Sequence, residues 1–135
     1  MANSLTVQTL EEGVRNIRAH VVALLDTSNL AVQDLFDPAN YNCAGSQATP
    51  TTFRVDKIRY SITDGLVVEL YWDATADVAF AGLSGRGKVD YRCDGGLHNN
   101  AGAGVTGKIQ IGTTGWTAGT YAIDMEVDLI KIPGY

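Results

Sequence analysis

The sequence predicts an all-β chain: two antiparallel sheets packed as a jelly-roll-like β-sandwich of seven to nine strands, with an N-terminal arm. Three observations carry that expectation. Apolar and polar residues alternate over long stretches, most clearly where Tyr121, Ile123, Met125, Val127 and Leu129 share one parity. Asp64-Gly65 is a tight-turn pair between two apolar runs, the strongest hairpin signal in the chain. Glycine-containing corners then separate short strands at the spacing of a sandwich or barrel. An immunoglobulin-like plan is the other two-sheet option.

Residues 1–13 form the arm, since Leu5, Val7 and Leu10 punctuate polar residues in a way that suits an edge strand or an extension onto a neighbour. Its removal is expected to leave a folded domain. In Val14 to Asp26, Ile17, Ala19, Val21, Ala23 and Leu25 fall on one parity, which indicates a half-buried strand; a helix over Glu11 to Leu25 is the rival. Residues 27–52 read as an irregular insertion with turn signals at Phe36-Asp37-Pro38 and one helical turn within Leu30 to Phe36. From Phe53 to Ile62 the inward parity changes between Val55 and Ile58, so a β-bulge is predicted near Asp56-Lys57. Leu66, Val68, Leu70 and Trp72 then share one face. Shorter strands follow at 76–83 and 87–92, then a glycine-rich loop over 94–107, a strand at 108–112 and a turn around Trp116.

A chain of 135 residues fits one domain with its own core. Lys and Arg number 10 against 15 Asp and Glu, so the basic footprint of a nucleic-acid binder is missing. The longest early apolar run, Val21 to Leu25, is far below the length of a secretory or membrane-spanning segment, and no membrane partner is expected. Synthesis in a cytoplasm follows, and with it two free thiols at Cys43 and Cys93. A bridge between them would close a loop stabilising by about 4 kcal/mol on the chain-entropy model.

Candidate chemistry is sparse. Gly102-Ala-Gly-Val-Thr-Gly107-Lys108 matches most of a phosphate-cradling loop, but Ile109 replaces the magnesium-binding hydroxyl and a strand pattern replaces the helix. Asp124, Glu126 and Asp128 line one strand face, too widely spaced to chelate alone, and pairing with Arg15, Arg18, Lys57 or Arg59 is the simpler account. His20 and His98 belong to no zinc spacing and no nucleophile elbow. Asp73, Asp77 and Asp90 lie near aromatics, and only their separation in space decides whether any two form a glycosidase pair. Trp72 and Tyr121 fall on core parities, which leaves Trp116 as the aromatic closest to a surface role. No catalytic residue, metal or cofactor is expected.

Four runs carry a family resemblance: Asp64 to Thr75, Leu83 to Lys88, Gly95 to Ile109 and Thr114 to Tyr121. Together, in order over residues 55–131, they resemble a family of small virion structural proteins of tailed bacteriophages. The resemblance implies a non-enzymatic capsid decoration, or cement, protein on the exterior of the head. Its implied partners are the major capsid protein and copies of itself in a homo-oligomer, a trimer favoured. Contact segments on that reading are the arm (Leu5, Val7, Leu10), the glycine-rich loop (Leu97, His98, Asn99, Asn100, Val105) and Trp116. The alternative is a carbohydrate- or receptor-binding module of the tail, using Trp116 and Tyr41.

Overall fold

A computed structural model describes residues 3–13, 15–41 and 50–132. Nine strands run β1 (Ser4–Glu12), β2 (Asn16–Leu25), β3 (Gln33–Phe36), β4 (Thr52–Ile62), β5 (Val67–Trp72), β6 (Val78–Leu83), β7 (Arg86–Asp90), β8 (Ile109–Thr114) and β9 (Tyr121–Ile132). They form two antiparallel sheets in the orders β1-β2-β9-β4-β7 and β3-β8-β5-β6. The pairing is nested: β5 with β6, β4 with β7, β3 with β8 and β2 with β9. A two-stranded ribbon with β5–β6 at its tip is thus rolled so that successive ribbon segments alternate between sheets. That is the jelly roll, with β1 added beside β2.

Alternation explains the strands. Ile17, Ala19, Val21, Ala23 and Leu25 of β2 and Ile123, Met125, Val127 and Leu129 of β9 are all buried on one face. Val68, Leu70, Trp72, Ile109 and Ile111 of the second sheet meet them in a single core. Aromatic rings seal its flanks. Phe80 stacks on Trp72 at 4.2 Å, and Phe53 makes T-shaped contacts with Phe36 and Tyr41 at 6.4 and 5.8 Å. The predicted bulge is present: Val55 faces Leu129 and Lys57 faces Asp128, leaving Asp56 as the extra residue. Its carbonyl accepts from Tyr91 N–H at 2.7 Å, so the bulge anchors the chain leaving β7.

Two expectations change. Thr63 to Leu66 is a tight turn, with Leu66 N–H donating to Thr63 O at 3.2 Å and Gly65 at φ +89°. It joins no hairpin, because β4 and β5 lie in different sheets. The turn chemistry specifies a chain reversal, whereas the partners of β4 are set by burial of its inner face against β9. The helical turn expected within Leu30 to Phe36 is instead β3, whose Leu35 and Phe36 are buried against β8; single 3-10 turns lie at Pro38–Asn40 and Arg92–Asp94. The irregular insertion therefore contains a strand of the roll. The N-terminal segment, expected as an edge strand or an extension onto a neighbour, is the edge strand β1, paired with β2 along its length. Cys43 lies outside the described residues, so its pairing with the exposed Cys93 does too.

Candidate contact surfaces

The N-terminal candidates are fastened to the body. Asn3 clamps one end of β1: its Oδ1 accepts from the backbone N–H groups of Asp26 and Thr27 at 2.9 and 3.1 Å, and its Nδ2 donates to Ser28 O at 3.0 Å. At the other end the Lys131 ammonium, on a side chain only 1% exposed, donates to Glu12 Oε2 at 2.9 Å and Gly13 O at 2.8 Å. Leu5 and Val7 turn inward and pack half-buried on the core. Leu10 sits at a register shift between Thr9 and Glu11 and is 46% exposed. Neither Asn3 nor Lys131 was legible as a functional residue, since both act through partners more than twenty positions away.

The glycine-rich connection from β7 to β8 is also partly fastened. Leu97 exchanges two backbone hydrogen bonds with Val55, at 2.8 and 2.9 Å, beside the β4 bulge. Asn99 donates through Nδ2 to Thr52 Oγ1 at 3.2 Å and accepts from Ala101 N–H at 2.9 Å. His98, Asn100 and Val105 are exposed. A groove of about 400 Å³ runs here between Thr51, Thr52, Asn99, Ala101, Val105 and Gly107. Lys108 directly precedes β8 and donates to Asp34 at 3.2 Å, and no helix N-terminus follows the loop, so the resemblance to a phosphate cradle ends in a strand.

Trp116 stands at the opposite end of the roll. Its backbone N–H donates to Asn29 Oδ1 at 2.9 Å, its Nε1 donates to Gly119 O at 3.0 Å, and its ring lies 6.5 Å from Tyr121. Tyr41 packs on Phe53, which faces Lys131 across the sheet. Residues 121 and 131 bound about 33 Å of strand, so Trp116 and Tyr41 cannot share one sugar platform. The predicted contact residues thus fall on three surfaces: the β1 edge, the Leu97–Val105 end and the Trp116 end.

The outer face of the larger sheet carries the carboxylate stripe, whose members find partners across strands. Arg18 pairs with Asp128 at 3.3 Å, His20 with Asp124 at 2.6 Å and Arg59 with Glu126. The other carboxylates are engaged separately. Asp73 accepts from Thr106 Oγ1, Asp77 from Ala74 N–H, and Asp90 from Arg92, whose guanidinium and backbone N–H hold its carboxyl well below the usual range. Among the described residues no group of His, Cys, Asp and Glu gathers to hold a metal. An apolar patch that parity reasoning did not single out lies on the outward side of β2, where Val22 and Leu24 are 39% and 46% exposed beside Thr6 and Ser4.

Comparisons with protein-family models, curated proteins and solved structures found no match to this chain.

Proposed function

We propose that this chain is a non-enzymatic structural protein of a tailed-phage virion, a head decoration protein that binds the major capsid protein and copies of itself on the capsid exterior. The nested ribbon of β2:β9, β3:β8, β4:β7 and β5:β6 carries the reading, because a rigid roll of this kind is an architecture of viral capsid and lectin domains. The lectin branch lacks the two-aromatic platform it would use, since Trp116 and Tyr41 lie at opposite ends. The capsid-facing surface is the Leu97–Val105 end. There Val105, 49% exposed, flanks a groove, while the Leu97–Val55 bridge holds the loop's base without ordering on contact.

Cryo-electron microscopy of the parent virion tests this directly. Density for the roll at regular positions on the head is the expected result, and its absence from the head overturns the reading. Heads lacking the protein should also regain it from solution, with Val105→Asp lowering occupancy at equal concentration.

A further inference from the structure

We propose that the free edge of β1 receives the same strand of a second copy, antiparallel, so that the five-stranded sheets of two molecules join across a two-fold axis at Thr6. An open sheet edge presents unpaired N–H and C=O groups, and proteins block such edges with charge, bulges or short strands. Among the described residues, three of the four sheet edges are blocked. β3 is four residues long and carries Asp34. β6 is interrupted at its middle, where Phe80 is the extra residue between Ala79 and Ala81. β7 displays Arg86 and Lys88, both exposed.

β1 is the exception. From Ser4 to Thr9 it keeps unbroken register with β2, and those six residues, about 20 Å of edge, include no charge, proline or glycine. The register shift follows Thr9, and the acidic pair Glu11 and Glu12 lies beyond it. The clamps at Asn3 and Glu12 hold the edge in place, so little ordering is required on docking.

The residues of this edge complement themselves. With Thr6 opposite Thr6 of the second copy, Leu5 faces Val7 and Ser4 faces Gln8. Apolar side chains then meet on the core side, where Leu5 and Val7 are only half-buried because the sheet stops beside them. Hydroxyl and amide groups meet on the outer side. A shift of one residue would set apolar against polar faces, and a register centred on Val7 would place Leu5 against Thr9. In the Thr6-centred register neither Glu11 nor Glu12 meets its own counterpart. The pairing names a contact for self-association but does not rest on the virion role. Failure of the dimer leaves capsid binding standing, and the reverse holds too.

Sedimentation velocity of the purified chain over about 1–500 µM, the range suited to a small interface, should show a monomer–dimer equilibrium. Thr6→Lys sets two ammonium groups opposite each other on an exposed face and should weaken dimerisation at least tenfold. Thr114→Lys, at the exposed end of β8 in the other sheet, should leave it unchanged. In a Cys43→Ser, Cys93→Ser background, Thr6→Cys should be trapped as a disulfide-linked dimer by mild oxidation, and Gln8→Cys should not. A monomer at every concentration, a trimer, or a dimer indifferent to Thr6→Lys and untrapped by Thr6→Cys would overturn the proposal.

Discussion

Gly102 and Gly107 stand in one loop under different constraints. Gly107 is buried at φ +84°, and a Cβ there would run into the carbonyl oxygen of Thr51, whereas Gly102 has open space around the same point and an ordinary φ. Gly107→Ala should cost more than about 1–2 kcal/mol, the left-handed penalty before any clash. Gly102→Ala should be neutral or gain up to about 1 kcal/mol through the unfolded chain. Thermal melts of the two variants check the contrast. Charge acts at this scale too. The Gln110 amide, and after it the Lys108 ammonium, holds the Asp34 carboxyl below its ordinary value. A lowered folded pKa means that the contribution is present above the ordinary carboxylate value, about 3.9, and disappears as pH falls through the lowered one. Asp34→Asn should therefore reduce the urea midpoint at pH 7, with the gap to the parent closing as pH falls through the lowered value. High salt should shrink the gap, because the pair is exposed.

Elements were legible where one local rule decided them. The alternation of β2 and β9 and the parity change at Asp56 each predicted what the strands do, because burial on one face leaves a mark every second residue. Asp64-Gly65 misled for the opposite reason. A turn motif encodes reversal, and the choice between pairing β5 with β4 or passing it to the other sheet depends on strands far away in sequence. β3 was missed because four residues are too few to show a period. The candidate contact residues were legible as apolar or flexible positions, while their distribution over three surfaces depends on the roll. β1 shows how an arm-like segment becomes integral. Glu12→Ala should cost about 1–3 kcal/mol, the scale of a hydrogen bond to a charged group. Replacing both partners, as Glu12→Leu with Lys131→Met, should recover part of that loss, because the desolvated ammonium is gone. Deleting residues 1–12 should leave the eight-strand roll folded at a lower urea midpoint, since it removes the Leu5 and Val7 contacts as well as this pair. Denaturant titrations measure all three variants.

The whole molecule is a ribbon closed on itself, and that geometry governs how it can form. β5 and β6 pair across a short turn, whereas β2 meets β9 across a separation that runs from residue 16 to residue 130. Loop-closure entropy makes the near pairing the cheap first step and the outer pairing a late one. Leu70→Ala, inside the ribbon tip, should slow refolding. Ile17→Val, on the outermost pair, should mainly speed unfolding, and stopped-flow chevrons separate the two. The order has a further consequence during synthesis. β9 lies between β2 and β4 in the larger sheet, so that sheet has no centre until residues 121–132 have left the ribosome. Until then β1 and β2 form a hairpin whose apolar inner face, from Ile17 to Leu25, awaits its cover. A nascent chain stalled before Tyr121 should therefore be bound by chaperones, and one released after Ile132 should not.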